Sequence, residues 1–156
     1  MTAFETPSEL RAAFDTLLST TRRTLRVYEH DLAVFDIDDA TRIATLRAFC
    51  VAGGGRRIEL LLDEVGRLTV DHPRLMLLLR DFAHVIEVRQ ADPDAARPDR
   101  AFVLADAHGV LLRADKHSPP GALHTDDTAR VTELNQVFEA LWQRAPRQVS
   151  ATTLGL

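Results

Sequence analysis

Ala101-Phe102-Val103-Leu104-Ala105-Asp106 is an apolar run that ends on a carboxylate, and after the short link Ala107-His108-Gly109 a second apolar run follows, Val110 to Arg113. Two extended runs separated by a glycine-containing turn read as a β-hairpin. The residues on either side show whether this hairpin belongs to a β-protein or to a layered α/β fold.

Downstream, Pro119, Pro120 and Gly121 mark a loop. The segment from about Asp126 to Arg144 then places Val131, Leu134, Val137, Phe138, Leu141 and Trp142 on one face at helical spacing, and Pro146 blocks its continuation. Upstream, the Asp-, Pro- and Arg-rich stretch from Ala91 to Arg100 reads as a solvated loop. Before it come a strand at Val85 to Arg89 and a helix at Leu75 to Phe82, opened by Asp71, His72 and Pro73. Arg57 to Asp63 is a strand whose Leu60, Leu61 and Leu62 are too apolar for a half-exposed edge. Gly53, Gly54 and Gly55 stop a preceding helix that Asp39 caps and that buries Ile43, Leu46, Phe49 and Cys50. Thr24 to His30 is a further strand. The first helix begins with Thr6, Pro7 and Glu9 and carries Leu10, Ala13, Phe14, Leu17 and Leu18 as one stripe. Strands alternating with helices, then a hairpin, then a long helix predict an α/β fold, a mixed-sheet sandwich flanked by helices. Without an internal repeat or low-complexity tract, the sequence predicts a single domain over 1–156, with 145–156 as a C-terminal tail. Leu154 and Leu156 in that tail pack on their own domain or join an interface.

The 156 residues are 46% hydrophobic and 27% charged, a balance that lets one domain bury about two thirds of its unfolded surface. A net charge of −4 supplies no overall field for nucleic acid or an anionic membrane. The lone cysteine, Cys50, lies between Phe49 and Val51 and reads as a small buried hydrophobe. No segment reaches the roughly 18 consecutive apolar residues of a membrane span, and Met1 to Thr6 lacks the basic and apolar pattern of a leader. The expectation is a cytoplasmic protein without a membrane partner.

The hairpin, the loop after it and a terminal helix ending Phe138-Glu139-Ala140-Leu141-Trp142 resemble the second half of a phospholipase D-like domain, and the opening helix with the strands at Val27-Tyr28 and Arg57 to Asp63 resembles the first. More narrowly, the chain resembles an uncharacterised bacterial family of such domains, some of them fused to acetyltransferases. In active members an H-x-K-x-x-x-x-D motif supplies a histidine that attacks phosphorus, a lysine that neutralises phosphate oxygens and an aspartate that supports the site. If Asp106 is the last letter of that motif, Asp99 and Ala101 stand where histidine and lysine belong. A carboxylate and a methyl group replace neither a nucleophilic imidazole nor a fixed cation. The resemblance therefore implies a half-domain with a degenerate site, and it implies a homodimer, since two such motifs normally meet across a pseudo-twofold or a dimer interface. Such an interface needs roughly 1,000 Å² or more.

Two functional readings follow. One is a non-catalytic phospholipase D-like module with a protein-interaction or regulatory role, its partner a protein such as an acetyltransferase. The other is a hydrolase or transferase with an atypical site at the strand ends, formed by Tyr28, His30, Asp31, Asp63 and Asp106. Each of these residues also has a structural role open to it, because strand ends carry turn-forming polar residues and an aspartate beside a tight turn caps it. No cofactor or metal is assigned: His108, His117 and His124 lie near aspartates without ligand spacing. The glycines at 53–55 lead out of a helix, the wrong context for a phosphate loop, and His72 has no nucleophilic partner. Nucleic acid is not expected as a partner. It would need Arg22, Arg23, Arg56 and Arg57 on one face near aromatic rings, in a chain with only 6% aromatic residues.

Overall fold

The computed structural model describes residues 1–149 and is a three-layer α/β/α fold around one eight-stranded sheet. In chain order the elements are β1 (Thr2–Phe4), α1 (Pro7–Thr20), β2 (Thr24–Glu29), α2 (Ala40–Ala52), β3 (Arg57–Leu62), α3 (Leu68–Asp71), α4 (Pro73–Asp81), β4 (Ile86–Gln90), β5 (Ala101–Ala105), β6 (Gly109–Arg113), β7 (Gly121–His124), α5 (Thr128–Arg144) and β8 (Arg147–Val149). The strands lie side by side in the order β1-β7-β6-β5-β2-β3-β4-β8. β2, β3 and β4 are parallel and every other pairing is antiparallel, which makes the sheet mixed.

Helix boundaries follow local chemistry. Thr6 accepts the Glu9 N–H at 3.1 Å and donates its hydroxyl to the Glu9 carboxylate at 3.0 Å, with Pro7 in the first turn. Asp39 accepts the Thr41 and Arg42 N–H groups at the start of α2, and Gly53 ends it at φ 62 and ψ −139, a combination essentially confined to glycine.

Alternation along the central strands sorts the two cores. Leu25 and Val27 of β2 and Ile58, Leu60 and Leu62 of β3 face α1, α2 and α4. Tyr28, Leu61, Phe102, Leu104 and Val110 face the other way, onto Val131, Leu134, Phe138 and Trp142 of α5. Arg26 fixes that helix: its guanidinium bonds Glu59 at 3.0 Å, Asn135 at 3.1 Å and Glu139, and lies 5.0 Å from the Phe138 ring centre. Central β5 is buried along its whole length.

Three short strands and one short helix add to the elements read from sequence. β1 and β7 close one edge by pairing with each other, and β8 closes the opposite edge against β4 inside the segment read as a tail. Elements of three or four residues are too short for an apolar period to be counted, so their pairing is decided by the sheet edge they meet. Gly121, read as a loop residue, opens β7, and a Cβ there would lie 2.3 Å from the Leu112 carbonyl and 2.6 Å from the Phe4 ring. Leu154 and Leu156 lie outside the described residues. None of the helices among the described residues is long and apolar enough to cross a membrane.

Candidate functional site

Parallel pairing of β2 and β3 brings Glu29 and Leu62 side by side, so the chain leaves both strands at one end of the sheet. Asp63 follows directly, its N–H donating to the Glu29 carbonyl at 3.0 Å and its side chain only 3% exposed. Four groups surround that carboxylate. The Tyr28 hydroxyl donates to it at 3.2 Å, the Lys116 ammonium at 2.7 Å, and the Arg97 guanidinium and His30 Nδ1 lie at 3.3 and 3.6 Å. Lys116, the only lysine of the chain, is buried with all its donors used, the other two going to the Tyr28 oxygen at 3.2 Å and the Pro98 carbonyl at 2.9 Å. Burial, reinforced by Asp63, pushes the Tyr28 hydroxyl well above the usual phenol range, so it stays a donor.

A second buried pair supports the first. Glu29 and Arg113 are each 1% exposed and meet in a bidentate contact of 2.5 Å. Arg113 also donates to the carbonyls of Lys116 at 3.2 Å and Ser118 at 2.8 Å, so it holds the loop that presents Lys116. Desolvation pushes the Glu29 carboxyl up to about 7 against the opposing pull of Arg113.

Solvent reaches this end at His30, 38% exposed, whose ring meets that of exposed His117 edge-on at 5.0 Å. On the other side His30 and Asp31 line a cleft of about 250 Å³ with Glu64, Arg67, Asp71 and His72. Asp31 caps a turn by accepting the Ala33 N–H at 3.0 Å, and the Nδ1 of buried His72 has no hydrogen-bond partner among the described residues.

Of the five residues proposed from sequence, Tyr28, His30 and Asp63 converge, and Asp31 sits on the rim beside them. Asp106 lies at the opposite end of the sheet, because β5 runs antiparallel to β2. There it adopts φ 54 and accepts the main-chain N–H groups of Arg22, Arg23 and Thr24 at 2.9, 2.7 and 3.0 Å. It thus joins the α1–β2 connection to the β5–β6 turn. Asp99 and Ala101 fall at the Asp63 end instead: the Asp99 carbonyl accepts the Lys116 N–H at 2.8 Å, and Ala101 is fully buried. Sequence reasoning missed Lys116, Arg97 and the Glu29–Arg113 pair, which lie on loops or strand termini, and it weighed His117 only as a metal ligand. One signal was present: a single lysine among nineteen basic residues. His108 meets Asp126 at 3.7 Å and His124 meets Asp127 at 3.8 Å, but among the described residues no three such groups gather as metal donors.

The model of a family described as "Domain of unknown function (DUF7931)" matches residues 6–154. No curated protein matches the chain in sequence. Among solved structures, TrmBL2, an archaeal chromatin protein described for a novel mode of DNA binding, aligns with TM-score 0.65 at 13% identity over 92% of this chain and 52% of its own. NucT from Helicobacter pylori aligns with TM-score 0.59 at 13% identity, covering 92% of this chain and 96% of NucT. Phosphatidylserine synthase of Haemophilus influenzae Rd KW20 aligns with TM-score 0.61 at 14% identity, covering 99% and 40%. The chain therefore spans about half the length of TrmBL2, and the shared property is the phospholipase D-like fold.

Proposed function

The chain belongs to the DUF7931 family, and we propose that it is a non-catalytic phospholipase D-like module that acts by binding a macromolecular partner and regulating or positioning it. The observation that carries this reading is the state of Asp63. Its carboxylate is filled by Tyr28, Lys116 and Arg97, and Lys116 has no donor left for a phosphate oxygen. Catalytic cations must face the charge that develops on substrate, and a buried ion pair with every donor satisfied does not. Asp99 and Ala101, at the motif's histidine and lysine positions, add no nucleophile and no cation. The same fold in TrmBL2, a chromatin protein described for DNA binding, supports a binding role for such a domain.

A second reading, a hydrolase or transferase at the strand ends, is favoured by the accessible His30 ring poised 3.6 Å from Asp63 beside His117. An activated phosphodiester such as bis(4-nitrophenyl) phosphate separates the two. The binding module shows no hydrolysis above the buffer rate, whereas turnover lost in His30→Ala and in His117→Ala would establish the enzyme. We propose in addition that the chain forms a homodimer, for which light scattering should give twice the 17.4 kDa of one chain.

A further inference from the structure

At the end of the sheet opposite Asp63, the chain enters the parallel strands β2 and β3 through arginine pairs, Arg22-Arg23 and Arg56-Arg57. Arg57 is occupied, its guanidinium 3.4 Å from Glu87 and donating to the His84 carbonyl at 3.2 Å. Arg22 donates to the Ser19 and Thr21 carbonyls, as a cation beside a helix C-terminus does. Arg23 and Arg56 have no carboxylate or hydrogen-bond partner for their side chains among the described residues, and Arg56 lies 5.2 Å from the Phe49 ring centre. Asp106 stands at this end, but its carboxylate is filled by main-chain N–H groups and does not neutralise these guanidiniums by contact.

Two shallow hollows, of about 340 and 270 Å³, share Arg22 and Arg56 as lining. Thr21, Thr45 and Phe49 line the first, and Arg23, Gly53 and Gly54 the second. Thr16 to Leu25 and Thr41 to Ile58, which line both hollows, contain no acidic residue although the whole chain carries −4, and the acids nearby are Asp106 at the Arg22 and Arg23 main chain, Asp81 beside Arg47 and Glu87 beside Arg57. The net charge therefore conceals a basic patch over the two hollows. The Asp106 carboxylate and the partial negative charges of the α1 and α2 C-termini together offset about two units of it, less than the three guanidiniums supply.

We propose that this end binds the phosphodiester backbone of nucleic acid without reading base sequence. Guanidinium forks match phosphate oxygens in pairs. The groups are spread over two open hollows, whereas one free phosphate would need an enclosed cradle, and a polymer of evenly spaced phosphates engages all three at once. An anionic membrane is the poorer fit, because neither hollow is lined by an exposed large apolar side chain that could insert. This surface is separate from the Asp63 cluster, so the proposal stands whether or not that cluster turns over a substrate.

Fluorescence anisotropy with short labelled DNA, duplex and single strand, tests the proposal. Three phosphate contacts lower duplex affinity about 40-fold and single-strand affinity about 20-fold between about 50 and 200 mM salt. Arg22→Gln/Arg23→Gln/Arg56→Gln should abolish the salt-dependent binding while leaving the main-chain N–H groups that hold Asp106. Arg23→Gln/Arg56→Gln, which keeps the helix-terminal bonds of Arg22, should reduce the duplex slope of log affinity against log salt by about 1.8, and it decides the matter if the triple variant does not fold. Arg74→Gln, at the start of α4 where it meets Asp38, should change nothing. Absence of binding at about 0.1 mM protein in low salt, an unaltered slope in the double variant, or capture by anionic vesicles that DNA does not displace would each overturn the proposal.

Discussion

Replacing Asp106 should act on stability and not on any activity at the strand ends. Its carboxylate accepts three main-chain N–H groups at 2.7 to 3.0 Å from Arg22, Arg23 and Thr24. A bond to a charged acceptor contributes about 1.5–3 kcal/mol where water is excluded, but these donors are exposed and water replaces part of the loss, so the three together are worth about 2 kcal/mol. The backbone adds a second cost. At φ 54 aspartate is tolerated, whereas alanine is disfavoured by about 1 kcal/mol or more. Asp106→Ala should therefore destabilise the domain by about 3 kcal/mol, or roughly 6–12 °C in Tm for a chain of this size. Asp106→Gly removes the carboxylate and relieves the backbone, so it should lose only about 2 kcal/mol. Asp106→Asn, which keeps one acceptor oxygen and tolerates the left-handed region, should lose about 1 kcal/mol. Urea unfolding followed by circular dichroism measures all three. An alanine variant within about 0.5 kcal/mol of wild type, or a glycine variant less stable than the alanine one, would refute the assignment of Asp106 as a main-chain anchor.

Three further outcomes follow from buried groups. Glu29 holds its proton to about pH 7 against an ordinary 4.5, so in that interval the native state binds more protons than the unfolded chain and stability falls as pH rises. Urea midpoints measured from about pH 4.5 to 7 should show this fall in wild type and lose it in Glu29→Gln. Arg113→Met leaves a buried carboxylate without its partner and frees the loop carrying Lys116, so it should destabilise by about 3–5 kcal/mol in urea unfolding, with the loss shrinking at acid pH where Glu29 is neutral. Gly121→Ala forces a Cβ onto the Leu112 carbonyl and the Phe4 ring and should lower Tm through a loss of about 1–3 kcal/mol, with hydrogen exchange at β1 and β7 accelerated before the rest of the sheet.

Long periodic elements were legible in the sequence. Thr6-Pro7-Glu9 and Asp39 start helices and Gly53 stops one where the sequence predicts, Leu10 to Leu18 bury their stripe, and of the Val131 to Trp142 stripe Val137 and Leu141 are only partly buried. The candidate site was legible in part, because Tyr28, His30 and Asp63 lie at the ends of two strands whose parallel pairing could be anticipated from the helix between them. Lys116 and Arg97 were not legible. They sit in loops of no local pattern, and they reach Asp63 only because β5 and β6 pair in a register that brings Ala101 opposite Arg113.

By itself, then, the sequence determined the long helices and strands, that they layer as α/β, and that the motif it resembles would put Asp99 and Ala101 at its histidine and lysine positions. Tertiary structure alone decided that Asp106 stands at the other end of the sheet from Asp63 and that the one lysine is bonded to Asp63. The physical reason is the same in each case. Helix periodicity and capping act over a few residues, whereas strand direction and register determine which distant side chains share one end of a sheet.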